Sequence, residues 1–201
     1  MIYILDWDDT LIPTSLLDYE SKRQNVSLYD IKLNHKIKSE LKILELHVFN
    51  FVEKLLSKGK VYIVTNADIN WFKFSAKSFY PNISDFLINL NVISALDIFK
   101  KDFPNIPISQ GFPINSTGAD WKYNAMKKLL IDKEYNTMIS IGDAEYEREA
   151  SMMIKKDNNK KIISIKLIDN PSIEKMILQL KSMFLNINTF ENSAMLTNIV
   201  F

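Results

Sequence analysis

The stretch Ile2-Tyr3-Ile4-Leu5-Asp6-Trp7-Asp8-Asp9-Thr10-Leu11 sets an apolar run of strand length directly against three carboxylates. β-branched Ile and aromatic Tyr favour an extended chain, and apolar residues at consecutive positions, without alternation, suit a parallel strand buried on both faces. Such a strand has no room for charge along its length. The carboxylates therefore belong at its C-terminal end, where open α/β sheets bind their ligands. Asp6 and Asp8 lie two apart and project from one side of an extended exit, whereas Asp9 points elsewhere. Two carboxylates held together perturb each other's pKa, an arrangement found mainly where a cation or a proton is handled. An acidic surface turn is the alternative for the same residues. A calcium loop begun at Asp6 fits poorly, because it wants Gly at its sixth position and Glu at its twelfth, where Leu11 and Leu17 stand.

Composition narrows the class around this strand. A chain of 201 residues, 47% hydrophobic, can bury a substantial core and reads as one domain, 1–201. Its 25 Lys and Arg nearly cancel its 24 Asp and Glu, so no global field marks it as a nucleic-acid binder. Cysteine is absent, which removes disulfides, thiolate metal sites and thiol nucleophiles, and agrees with a reducing compartment. The first apolar run is too short for a signal peptide, and no later run spans a bilayer, so the expected location is the cytoplasm or the nucleus, with no membrane partner.

Outward from the first strand, residues 12–33 read as a small flap, with Pro13 stopping the strand. From Asn34 a helix is expected, because Ile37, Leu41, Leu44, Val48, Phe51, Val52 and Leu55 recur at spacings of three and four, and Gly59 offers a left-handed C-cap. His35 and His47 lie in this helix and receive no role. Val61-Tyr62-Ile63-Val64 is a second buried-type strand that stops at Thr65-Asn66, as the first stops at Asp6. A helix interrupted near Pro81 follows, its aromatics Trp71, Phe72, Phe74, Phe79 and Phe86 assigned to the core. Val92-Ile93-Ser94-Ala95-Leu96 is a third strand, and 99–120 a long Pro/Gly loop. Trp121-Lys122 opens a helix with Asp120 as its N-cap. Thr137-Met138-Ile139-Ser140-Ile141 is a fourth strand, ending at Gly142-Asp143, with Glu147 one helical turn beyond Asp143 and on its face. A fifth strand covers 162–167. A last helix begins near Asn170-Pro171, with Ile173, Met176, Ile177, Leu180 and Phe184 on one face. The tail, 186–201, is apolar enough either to pack back or to meet a partner. Strands alternating with helices predict a doubly wound, Rossmann-like α/β fold with a parallel five-stranded sheet.

Asp6-Trp7-Asp8-Asp9-Thr10-Leu11 resembles the first motif of the haloacid dehalogenase-like (HAD) phosphatase superfamily, Asp-x-Asp-x-Thr after a buried strand. Thr65, Lys122 and Gly142-Asp143 match the second, third and fourth motifs in order, so the resemblance covers most of the chain. One departure is that Glu147 stands where the family carries a second Asp, which suits a partner of water or of Lys122 in place of a metal ligand. Lys100 and Lys101 compete with Lys122 for the third motif. The resemblance implies a strand order 5-4-1-2-3 and a Mg²⁺-dependent phosphomonoesterase. Its metal ligands would be Asp6, the backbone carbonyl of Asp8, and Asp143. Asp6 would be the nucleophile that forms an aspartyl phosphate, and Asp8 the general acid and base. Thr65, Asn66 and Lys122 would hold the phosphate. Neither gap between motifs has room for a large cap domain, so the site is expected to be open and its substrate large, such as a phosphoprotein. A small-molecule phosphatase acting on sugars or nucleotides, and a catalytically idle HAD-like scaffold binding through its tail, are the alternatives. A response-regulator receiver also has acids after its first strand, but its phosphorylated Asp would fall where this chain has Thr65 or Leu96.

Overall fold

The computed structural model describes residues 1–102, 104, 118–157, 159–192 and 198–200. Its centre is the opening strand, β1 (Ile2–Leu5), paired in parallel with β2 (Lys60–Thr65) on one side and β4 (Thr137–Gly142) on the other. Beyond these lie β3 (Asn91–Ser94) and β5 (Lys161–Lys166), all parallel, in the order 5-4-1-2-3 expected from the resemblance. The tail adds a sixth strand that the sequence did not signal. β6 (Asn198–Val200) pairs in parallel with the outer side of β5.

Side chains along the central strands sort by parity, as a period of two requires. Tyr3 and Leu5 join Ile63, Ile139 and Ile163 in a core completed by α2 (His35–Leu56), α3 (Ile69–Phe79) and α8 (Ile173–Asn192). Ile2 and Ile4 join Tyr62, Val64, Met138 and Ile162 in a second core. That core is covered by α5 (Ala95–Asp102), α6 (Gly118–Leu130) and α7 (Glu145–Asp157). Helices on both faces explain why the strands carry no alternation of polarity. Among the described residues, no helix is long and apolar enough to cross a membrane.

α2 begins where its side chains say it should, with Asn34 as N-cap and its Oδ1 accepting from the Ile37 N–H at 2.9 Å. Asp68 caps α3 in the same way, accepting from the Asn70 and Trp71 amides. α4 (Ser84–Ile88) follows the break at Pro81. The flap contains more structure than expected, since α1 (Thr14–Gln24) occupies its first half and buries Leu17.

Several local expectations are corrected. Gly59 does not cap α2 in a left-handed conformation; it lies where the chain crosses Met1, and a Cβ there would meet the Met1 carbonyl oxygen at 2.5 Å. Ala95 and Leu96 open α5 instead of ending β3, because Ser94 Oγ accepts from the Asp97 N–H and turns the chain. The expected 99–120 loop loses both ends to helix, and 105–117 lie outside the described residues. Asp120 is inside the first turn of α6, not its cap. α8 runs on to Asn192, so 186–192 are helix and not tail, and 193–197 lie outside the described residues. Phe184 is exposed on α8, where Met183 and Ile187 take the buried positions.

Removal of the α2 cap tests this account of the helix start. Asn34→Ala should lower unfolding stability by about 1 kcal/mol, measured by urea denaturation. An unchanged midpoint would show that packing alone fixes where α2 begins.

Candidate functional site

Parallel pairing brings the C-terminal ends of β2, β1 and β4 to one edge. The Asp6 N–H donates to the Ile141 carbonyl at 2.9 Å, continuing the β1–β4 pairing one residue past β1 and setting Asp6 beside Asp143, the first residue after β4. Thr65 ends β2 on the opposite side. Lys122 and Glu147 come from early turns of α6 and α7, the helices leading into and out of β4.

The Lys122 ammonium is the hub. It lies 2.5 Å from Asp6 Oδ1 and is also bonded to Glu147 Oε1, and all three side chains are buried. The second oxygen of Glu147 accepts from the Ala144 N–H at 3.0 Å. Gly142 is required for that approach, since a Cβ there would collide with the Glu147 side chain. Burial works against the Lys122 charge, but the Asp6 and Glu147 carboxylates outweigh it and hold the ammonium at about 12. Burial pushes Asp6 well above the usual carboxylate range, opposed by Lys122 and reinforced by Glu147 and Asp8. Burial, with the charges of Glu147 and Asp9, pushes Asp143 up to about 7.

Asp6, Asp143 and Glu147 each offer a carboxylate oxygen, and these oxygens lie within 4.8 Å of one another. When all three are ionised, the one ammonium between them leaves two negative charges uncompensated in a buried cluster. A divalent cation would supply the missing charge, and an all-oxygen donor set suits a hard one. The residues present therefore fit a metal ion.

Among the described residues Asp8 is bonded outside this cluster, although its charge still acts on Asp6. Its Oδ1 accepts from Thr14 Oγ1 at 2.6 Å and from the Trp71 indole Nε1 at 2.7 Å, and its Oδ2 from Thr65 Oγ1 at 3.2 Å. The turn that separates it from Asp6 is closed by the Leu11 and Ile12 N–H groups on the Trp7 carbonyl, with Asp9 at a φ of 52°. Asp9 serves α1, accepting from the Ser15 N–H and hydroxyl. Thr10 Oγ1 sits between the two strand-end acids, 3.5 Å from Asp6 Oδ2 and 3.3 Å from Asp143 Oδ1.

Of the residues singled out in the sequence, Asp6, Lys122, Asp143 and Glu147 meet in one cluster, and Asp8 and Thr65 are bonded to each other beside it. Glu147 is the direct partner of Lys122, one of the two partners suggested by its departure from the resembled motif. Asn66 follows Thr65, its Nδ2 donating to the Gly118 carbonyl at 3.2 Å while its buried Oδ1 has no partner among the described residues. Lys100 and Lys101 are exposed on the last turn of α5, away from the cluster.

Three further residues were missed. Trp71, assigned to the core, is also a donor to Asp8; Thr14 is another. Lys166, almost wholly buried, donates to the Asp143 carbonyl and to Asp169. A lysine ending a buried strand could have been found by the logic that found Asp6.

The pKa shifts set the sign of a pH effect. A carboxyl raised in the folded state contributes stability at pH values below its unfolded pKa, and loses it as pH rises through the folded value. For Asp143 that window runs from the ordinary carboxylate value of 3.8 to about 7, and Asp6 acts in the same direction. Metal-free protein should therefore melt at lower temperature at about pH 8 than at about pH 5, and a divalent cation should raise the melting temperature more at the higher pH. Differential scanning calorimetry with and without cation decides it; an equal cation effect at both values would remove these carboxyls from the metal site.

Compared with family models, with curated proteins and with solved structures, the chain matches none.

Proposed function

We propose that this chain is a Mg²⁺-dependent phosphomonoester hydrolase that works through an aspartyl phosphate on Asp6. The observation that carries the proposal is the buried Asp6–Lys122–Glu147 cluster beside Asp143 at the end of β1, with Asp8 and Thr65 adjoining it. The order of Asp6, Asp8, Thr65, Lys122 and Asp143 along the chain, which resembles the HAD phosphatases, supports the same conclusion.

Asp6, Asp143 and the Asp8 backbone carbonyl would hold the ion, with Glu147 near enough to join them. Once bound, Mg²⁺ supplies the positive charge that lets a carboxylate approach a phosphate dianion. A carboxylate oxygen of Asp6 attacks phosphorus and the ester P–O bond breaks, leaving the phosphoryl group on Asp6. The Asp8 carboxyl protonates the departing oxygen. It then takes a proton from the water that attacks the acyl phosphate, which frees inorganic phosphate and restores Asp6. Lys122 neutralises charge on the transferring oxygens, and Thr65 turns its hydroxyl from Asp8 toward them. Thr14 and Trp71 hold Asp8 by one oxygen, so that releasing Thr65 leaves the other oxygen for the leaving group.

Residues 12–34 contribute α1 and a loop, too little chain for an enclosing domain after the first motif. An open site favours a large leaving group, a phosphoprotein in particular, whose own surface would exclude water.

Two substitutions test the chemistry. Asp6→Asn should abolish turnover of an aryl phosphate with the circular dichroism spectrum unchanged; near-normal turnover would end the proposal. Asp8→Asn should slow hydrolysis by roughly 10²–10⁴-fold with an alkyl leaving group and less with an aryl one, which needs little protonation. Equal slowing of both would take the protonation of the leaving oxygen from Asp8 and leave it only the activation of water.

A further inference from the structure

A concavity of about 640 Å³ opens between the loop after α1, the first half of α2 and the second half of α3. That volume lies in the range of ligand sites. Its floor is apolar, with Leu33, Leu41, Phe74 and Phe79 among the residues lining it. Its rim is basic. Lys38 and Lys42, one turn apart on α2, stand with Lys32 of the loop, all exposed, and none is ion-paired among the described residues. Like charges at a spacing of four destabilise a helix, so this pair is not there for the sake of α2. Glu45, the one acid lining the concavity among the described residues, is buried, and its oxygens accept from the Asn82 amide and side chain and the Ile83 amide. The lysines are thus left to face an incoming anion.

The concavity is also joined to the site. Tyr29 and Phe74 line it and pack on each other with ring centroids 4.5 Å apart; both also contact Trp71, at 6.0 and 6.1 Å. Trp71 is the residue whose indole holds Asp8. One aromatic side chain therefore separates the basic groove from the group assigned to protonate the leaving oxygen. A few residues of extended chain, at about 3.3 Å each, cover such a distance.

We propose that this groove docks the polypeptide flank of a phosphorylated substrate, a segment carrying a bulky apolar side chain beside acidic residues, while the phosphorylated residue lies against Asp6 and Asp8. The apolar side chain enters between Leu41, Phe74 and Phe79, and the acidic residues meet Lys32, Lys38 and Lys42, which gives specificity through charge complementarity. This rests on the phosphatase proposal and names its substrate class.

The test uses the full chain and phosphoserine peptides of equal length, flanked on either side by glutamates and one phenylalanine, with control peptides in which the glutamates become lysines or the phenylalanine becomes alanine. The acidic, phenylalanine-bearing peptide should show the lowest KM. In Lys38→Glu/Lys42→Glu that KM should rise about tenfold, while kcat and the turnover of a small aryl phosphate stay unchanged. Anisotropy of the labelled, unphosphorylated peptide reads docking without catalysis and should weaken in the same variant and with added salt. Lysine-dependent binding without hydrolysis of any phosphoester would overturn the phosphatase and leave the groove. Aryl phosphate turnover with equal KM for all peptides would overturn the groove and leave the phosphatase. Binding of laurate in place of the peptide would likewise overturn the polypeptide assignment.

Discussion

The buried Lys122 ammonium, held between Asp6 and Glu147, is the interaction on which this architecture turns. Bringing three charges out of water carries a large desolvation penalty, which their mutual attraction repays only with close contacts and with the remaining oxygens bonded. Here the second oxygen of Glu147 is bonded to the Ala144 N–H, and Gly142 gives Glu147 the space to reach Lys122. The contact ties α6 to α7 and both to the end of β1. Such a cluster is weak evidence for stability in itself, since an apolar substitute of equal volume is often as good. Deleting one member is another matter, because the charge left behind is buried and unpaired.

That imbalance links stability to chemistry. Burial raises Asp6 and Asp143 together, which means the fold holds carboxylates at the sheet edge at the expense of stability at neutral pH. A site whose charges were arranged only for folding would match acids with bases. This one leaves two negative charges over when ionised, and the nearby Lys166 ammonium does not correct it, because Asp169 engages that group. The excess is what a divalent ion would neutralise. Local strain at a functional edge, compensated by a well-packed sheet beneath it, is a familiar pattern in proteins.

Much of this was legible in the sequence, for a physical reason. Strands buried on both faces show as unbroken apolar runs, and charge can appear only where they end, so Asp6, Thr65 and Asp143 announced both the strands and the edge they share. Less legible was whatever depended on partners far along the chain. Ala95-Leu96 looks like strand until Ser94 is seen to accept the Asp97 N–H and start a helix. The sixth strand is short, and it exists because the β5 edge is there to pair with. Gly59 suggested a cap from its position alone, but its use is to let Met1 pass. Trp71 was hidden by its own size. A bulky aromatic at a helical spacing reads as core, and its indole N–H, the part that reaches Asp8, is invisible to periodicity.

The two acids of the opening motif end in different surroundings although one residue separates them. Asp6 continues the pairing of β1 with β4 and so enters the buried cluster, where its carboxylate faces an ammonium and two acids. Directly after it, the chain turns back on the Trp7 carbonyl, with Asp9 in the left-handed region, and that turn swings Asp8 toward β2 and α3. There its donors among the described residues are neutral, the Thr14 and Thr65 hydroxyls and the Trp71 indole. A carboxylate facing fixed charge is suited to being a ligand or a nucleophile, whereas one held by neutral, exchangeable donors is suited to passing protons. The divergence of the two acids follows from the turn itself, which the buried Trp7 anchors through its indole N–H on Ser75 Oγ at 3.0 Å. Trp7, the residue between the two acids, thus holds the angle at which they diverge.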